Sequence, residues 1–154
     1  MFNFKKQLSK GQDKEKYLDA FFSPRFDITE ASANEQRRGI DRHFKNKETG
    51  ARFSVEYKTD WRAAETHNAF IETVSVDTQN KAGWAYTCSA DKLLYYIPRD
   101  ELVYVISLRK LRERLPKWEK QYRALPVKND GYNTIGLLVP LRELEAIAES
   151  VINL

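Results

Sequence analysis

The sequence predicts a single α/β domain, of the α+β kind, with a mixed central β-sheet flanked by helices. Three observations predict it. The apolar pattern runs helix, strands, helix, strand, helix along the chain, an order that builds one layered domain. The length of 154 residues leaves little room for a second domain. The chain is 42% hydrophobic and 31% charged, too apolar for disorder and too polar for a membrane protein.

Each element has its own signal. Residues 1–12 are polar with little periodicity and read as a flexible N-terminal arm, so the folded domain is expected over 13–154. Asp13 caps a helix that carries Tyr17, Leu18, Phe21 and Phe22 on one side. Ser23-Pro24 ends it. Phe26 to Thr29 is a short strand, and 30–38 is polar and ambiguous. Ile40 to Asn46 and Ala51 to Lys58 are two strands joined by Lys47-Glu48-Thr49-Gly50. Ala69 to Val76 is a strand, 77–83 a polar loop, and Trp84 to Ala90 ambiguous. Lys92 to Ile97 and Leu102 to Ser107 flank a Pro98-Arg99-Asp100 turn. Leu108 to Tyr122 is a helix with Leu108, Leu111, Leu115, Trp118 and Tyr122 on one stripe, and Pro116 is expected to kink or split it. Tyr132 to Val139 is a late strand. Pro140 to Ile152 is a closing helix with Leu141, Leu144, Ile147, Ala148 and Val151 inward.

The single cysteine, Cys88, excludes an internal disulfide and any cysteine-based zinc cluster. The N-terminus carries no apolar run of the signal-peptide kind. No apolar stretch is long enough to span a bilayer. A soluble, cytoplasmic protein with no membrane partner is expected. The net charge is +4, and residues 1–62 hold all of it, with 14 Lys/Arg against 10 Asp/Glu. From Arg109 to Arg123 there are 7 basic residues and 2 acidic ones. A polyanion partner fits this distribution, and so does a plain solvated basic surface.

The most informative segment is the hairpin. A loop over 47–50 pairs Asn46 with Ala51, and every later pair sums to 97. Phe44, Phe53, Val55 and Tyr57 then share one apolar face with Ile40 and Arg42. A one-residue slip would set apolar residues against polar ones. In this register Asp41 lies opposite Glu56, with Cβ atoms about 4.5–5.5 Å apart. Lys58 and His43 point to the same face. Two facing carboxylates repel, so a partner is expected: Lys58 as an ion pair, or a hard divalent cation.

Asp41 followed by Glu56-Tyr57-Lys58, on adjacent strands after an N-terminal helix, resembles the PD-(D/E)XK nuclease superfamily, which includes restriction endonucleases and Holliday junction resolvases. The likeness covers residues 13 to about 107 and implies a restriction endonuclease-like fold. The family's helix after the lysine strand would fall in 60–67 or 84–90. The resemblance implies a Mg²⁺- or Mn²⁺-dependent endodeoxyribonuclease, with no small-molecule cofactor, acting on duplex, branched or junction DNA as a homodimer. It implies that Asp41, Glu56 and the carbonyl of Tyr57 hold the metal. Lys58 would orient or deprotonate the attacking water, its pKa lowered beside a cation. Glu15 would add an acid from the first helix. Arg37, Arg38, Arg42 and Arg62 flank this site and are candidate phosphate contacts. Glu72 and His43 are possible additional residues. Trp61, Trp84 and Tyr86 either stack on bases or fill the core, burial being favoured for Trp84 and Tyr86. Two rival readings stand beside this one: a non-catalytic nucleic-acid-binding protein of the same fold acting within an assembly, and a nuclease directed at RNA.

Overall fold

The structure is a computed structural model and describes residues 4–154, with side chains in the first helix from Asp13 onward. Its elements are α1 (Phe4–Phe22), β1 (Phe26–Glu30), α2 (Ala33–Arg37), β2 (Arg42–Asn46), β3 (Arg52–Thr59), α3 (Ala63–Thr66), β4 (Asn68–Val76), β5 (Lys81–Ala82), α4 (Trp84–Thr87), β6 (Lys92–Ile97), β7 (Leu102–Ser107), α5 (Leu108–Gln121), β8 (Ala124–Lys128), β9 (Asn133–Pro140), α6 (Leu141–Ile147) and β10 (Ser150–Asn153). The fold is α+β, with a mixed six-stranded sheet in the order β1-β2-β3-β6-β7-β10. Only β3 and β6 run parallel in it. A second sheet, β5-β4-β9-β8, is wholly antiparallel. Among the described residues no helix is long and apolar enough to cross a membrane.

Alternation along the strands sends side chains to two separate cores. Phe44, Val55, Tyr57, Leu94, Tyr96 and Val103 face Leu18 and Phe22 of α1. Leu93, Tyr95, Ile97, Tyr104 and Ile106 face the other way. There they meet Ile71 and Val139 of the second sheet, Leu111, Leu115 and Trp118 of α5, and Leu144 of α6. The six-stranded sheet is thus covered by α1 on one side and by a second layer on the other.

The hairpin adopts the expected register. Arg42 pairs with Val55, His43 with Ser54, Phe44 with Phe53 and Lys45 with Arg52. Asn46 donates its N–H to the Ala51 carbonyl at 2.8 Å, closing the loop over 47–50. Ile40 is the exception on this face. It is buried, but in the opposite core. The chain turns at Gly39, whose φ of +82° suits glycine, and Ile40 precedes the strand proper.

Several elements differ from expectation. The helix α1 begins at Phe4 rather than Asp13, and residues 1–3 of the expected arm lie outside the described residues. The ambiguous 30–38 segment contains α2, capped by Ser32: the Glu35 N–H donates to Ser32 Oγ, and the Ser32 N–H donates to Glu35. Pro116 neither splits nor ends α5, which runs on to Gln121. The closing helix stops at Ile147, and Ser150–Asn153 instead pairs with β7 as an edge strand, which leaves Val151 exposed. Ala124–Lys128 is a further strand absent from the sequence reading. It holds Pro126, and it lies at a sheet edge, where the missing N–H is tolerated. Both segments expected to supply the helix after Lys58 form only short helices, α3 and α4.

Candidate functional site

The β3–β6 parallel pair sets the position of the site. Asp41 stands just before β2, beside the carboxyl-terminal half of β3. Its N–H donates to the Val55 carbonyl at 2.8 Å, and its Oδ2 accepts the Tyr57 N–H at 2.8 Å. Asp41 is therefore held to β3 by both its backbone and its side chain, outside the ladder register, because its N–H shares Val55 with Arg42. In an extended strand the N–H and C=O of one residue point the same way. The Tyr57 carbonyl accordingly faces the same edge as Asp41 Oδ2.

Glu56 is only 6% exposed. Its Oε1 lies 3.1 Å from Lys58 Nζ. Its Oε2 is buried with no hydrogen-bond partner among the described residues. Burial pushes the Glu56 carboxyl up to about 7. The Lys58 charge opposes that rise, and the charge of the neighbouring Asp41 adds to it. Asp41 is thus near enough to act on the Glu56 charge, but the two do not pair across the ladder: the observed register ends at Arg42–Val55, and the Asp41 N–H meets Val55 rather than Glu56.

Lys58 keeps 34% of its side chain in contact with solvent. Burial of its stem works to lower its pKa. Glu56, then Glu72 and Asp41, outweigh this, and the net shift is upward. Among the chain's own groups the three carboxylates favour the ammonium form; the lowering expected in the sequence reading is one that a neighbouring cation would produce. Trp84 lies over the same ammonium, 5.6 Å from Nζ to its ring centroid. The carboxyl of Glu72 accepts the Trp84 N–H, and burial raises its pKa while Lys58 lowers it. Gly83 makes this arrangement possible. A Cβ there would come within 2.5 Å of the Glu72 carbonyl oxygen, so only glycine lets α4 approach β4 this closely.

Glu15 reaches the site from α1. Burial raises its pKa, and the Asp41 charge adds to the rise. The Arg42 guanidinium lies 3.6 Å from Glu15 Oε2 and opposes it.

Arg42 itself is not available to a phosphate. It is 5% exposed and points into the α1 face, as its pairing with Val55 dictates. Its Nε donates to both oxygens of Asp19 at 3.1 Å, and its Nη1 donates to the Asp41 carbonyl. Glu30 lies 3.9 Å away. Arg42 is therefore a buried counter-ion that ties α1 and β1 to the hairpin. Asp19, which the sequence reading passed over, is the hub of that tie, and it also accepts the Tyr57 hydroxyl at 2.8 Å. Its polar position beside Leu18 on an amphipathic helix gave no hint of this.

Arg37, Arg38 and Arg62 are exposed. Arg37 donates to Asn34, and the backbone of Arg62 is held by Asp60. His43 Nε2 lies 2.7 Å from Glu35 Oε2, so its ring is paired with the α2 cap. Tyr86 is 43% exposed, against the burial expected for it, and its hydroxyl bonds Glu119 of α5. Among the described residues no set of three or more His, Cys, Asp or Glu gathers closely enough to hold a metal by itself. What the fold does gather is the neighbouring carboxylates of Asp41 and Glu56, one carbonyl edge, a lysine, and two further acids, Glu72 and Glu15. No family model, curated protein or solved structure matches the chain.

Proposed function

We propose that the chain is a metal-dependent endonuclease of PD-(D/E)XK type that hydrolyses phosphodiester bonds in DNA. The observation that carries this reading is the buried Glu56 Oε2, which has no hydrogen-bond partner among the described residues and lies near Asp41, just before the adjacent strand. A buried oxygen without a partner costs free energy. Carboxylate oxygens are the donors that Mg²⁺ and Mn²⁺ take, so the residues present fit such an ion. Asp41, Glu56 and the Tyr57 carbonyl would hold it. Bound there, it would polarise the phosphate and make water acidic enough to attack.

The chain's own groups do the rest. Glu56 holds Lys58 Nζ at 3.1 Å, and Trp84 and Glu72 limit where that ammonium can move. Lys58 would place a positive charge beside the reacting phosphate and orient water as a hydrogen-bond donor, or, with its pKa lowered by the bound cation, take the proton of the attacking water. Glu15 borders Asp41 from the α1 side. Arg37, Arg38, Arg62 and the exposed basic residues of α5 supply phosphate contacts. A homodimer, as the resemblance implies, would bring two sites to two strands.

One observation favours the rival reading of a non-catalytic nucleic-acid-binding module. The Lys58–Glu56 ion pair already satisfies one carboxylate oxygen, as a purely structural pair would. A cleavage screen with Mg²⁺ and Mn²⁺ on duplex, branched and single-stranded DNA, and on RNA, separates the two. Metal-dependent cuts that vanish in Lys58→Ala support the nuclease. Binding without cleavage under every condition supports the module.

A further inference from the structure

On the α1 side of the candidate site an exposed tryptophan, an exposed tyrosine and a lysine are fixed together. Trp61 is 39% exposed and Tyr17 is 45% exposed. Lys14 Nζ lies 5.1 Å from the Trp61 ring centroid and 5.8 Å from that of Tyr17. Large aromatics are costly to leave in water, and these two stand at the surface with a cation between them.

Neither ring is loosely placed. Tyr17 stacks on Tyr96 at 6.1 Å with an 18° interplanar angle. Trp61 sits in a bend pinned at both ends. The Asp60 N–H donates to the Tyr96 carbonyl at 2.9 Å, and Asp60 Oδ1 accepts the Arg62 and Ala63 N–H groups at 3.0 Å. The shelf lies on the α1 face of the six-stranded sheet, whereas Lys58 points to the other face with Trp84, and the chain itself links the two. Trp61 is three residues beyond Lys58, which bounds the backbone separation at about 11 Å. Lys14 immediately precedes Glu15 on α1, and the exposed Arg62 immediately follows Trp61.

We infer that Trp61, backed by Tyr17 and Lys14, stacks an unpaired nucleobase of the substrate strand, so that the site acts on single-stranded or locally unpaired nucleic acid. This rests on the proposed nucleic-acid-cutting reading of the site. Every base has a π-face, and aromatic shelves beside positive charge hold single strands without regard to sequence. A paired base offers no free face. Lys14 and Arg62 complement the phosphates on either side of a stacked base, whereas an apolar peptide would gain nothing from two cations.

The test is fluorescence anisotropy of a labelled thymidine decamer and a blunt duplex of equal length, in Ca²⁺ without cleavage. Wild type, Trp61→Ala, Trp61→Phe and Lys14→Ala are compared. Trp61→Ala should weaken decamer binding about tenfold or more, as loss of one stacked base does, and leave duplex binding within about twofold. Trp61→Phe should recover most of the loss. Lys14→Ala should weaken both substrates modestly, through one charge. An equal loss on decamer and duplex, or no loss at all, overturns the inference while leaving the nuclease proposal intact. Selective loss in a protein that never cuts sustains the shelf and removes the nuclease. Failure of the wild type to bind either substrate overturns both. Trp61 lies at the surface, so its variants should melt as wild type does, and a matched thermal melt checks this.

Discussion

Lys58 Nζ lies 3.1 Å from one carboxylate oxygen of Glu56, and the other oxygen of the same group is buried without a partner among the described residues. One carboxylate is therefore half answered by the fold. The unanswered half makes the site testable by pH, by metal and by substitution.

The first consequence is a pH dependence of stability. The Glu56 carboxyl is raised from its ordinary 4.5 to about 7, chiefly by burial. Below pH 4.5 the group is protonated in both folded and unfolded chains and contributes nothing to the difference. Between 4.5 and 7 the unfolded chain gives up the proton while the folded chain keeps it, so stability falls as pH rises. Above 7 the penalty is complete, on the order of 3 kcal/mol at 1.36 kcal/mol per unit. In Glu56→Gln this slope should disappear. Urea melts at pH 5 and pH 8 check it: the fall in stability between them should be smaller in the variant by roughly 2–3 kcal/mol. An identical fall in both proteins would place the Glu56 carboxyl in water.

Divalent ions should reverse that penalty. An ion bound by Asp41 and Glu56 stabilises only the folded chain, by about 2.7 kcal/mol at a hundredfold excess over its dissociation constant. Mg²⁺ or Mn²⁺ at pH 7.5 should raise the melting temperature of the wild type and do little for Asp41→Asn. Equal shifts in both would locate the ion elsewhere.

Lys58→Ala tests the chemistry apart from the fold. Its side chain is 34% exposed, and neither core loses a side chain. The variant should fold and bind DNA, and its single-turnover cleavage should fall by about 10²–10⁴-fold. If Lys58 acts as a charge, Lys58→Arg should recover part of that rate. Undiminished cleavage in Lys58→Ala would free the lysine of any role.

How much of this was legible follows the physics of each signal. The hairpin register was readable from Arg42 to Lys45 because one face is apolar and a slip would bury charge; past Arg42 the Asp41 N–H shares Val55 and Ile40 turns to the other core, which the apolar pattern did not foretell. Phe26–Glu30, Lys92–Ile97 and Leu102–Ser107 were readable as dense β-rich runs. Other elements carried weaker local signals. Ala124–Lys128 contains a proline and is mostly exposed, so its pairing with β9 comes from tertiary context. At Ser150–Asn153 an apolar spacing that suited helix gave way to an open edge on β7. The Ser32–Glu35 capping box was present in the sequence and is the one helix signal left unread. Within the site, Glu72 and Trp84 are 12 residues apart in sequence and meet only because Gly83 lets α4 close on β4. No periodicity encodes that approach.

The arginines near the site divide into two kinds, and salt separates them. Arg42 is buried among Asp19, Glu15 and Glu30, with its charge answered inside the chain. Removing it leaves partly buried carboxylates without a counter-ion, which typically costs about 3–5 kcal/mol for a fully buried pair. Asp19 and Glu15 are each about a third exposed, so solvent should reduce the loss for Arg42→Met to roughly 2–3 kcal/mol. Arg38 and Arg62 are exposed, and Arg38→Ala and Arg62→Ala should change stability by less than about 0.5 kcal/mol. On DNA the order should invert. Each exposed arginine that touches a phosphate releases counter-ions, so its loss should flatten the slope of log affinity against log salt by about one. A conservative Arg42→Lys, which keeps a cation near Asp19, should bind DNA with the wild-type slope. Urea melts and salt titrations of the four variants form one experiment. If Arg42→Lys flattens the salt slope as Arg38→Ala does, Arg42 reaches a phosphate after all, and its tie to Asp19 must open when DNA binds. If Arg38→Ala and Arg62→Ala leave the slope unchanged, the polyanion surface lies elsewhere, and the exposed face of α5, with Arg114, Lys117 and Lys120, is the next place to substitute.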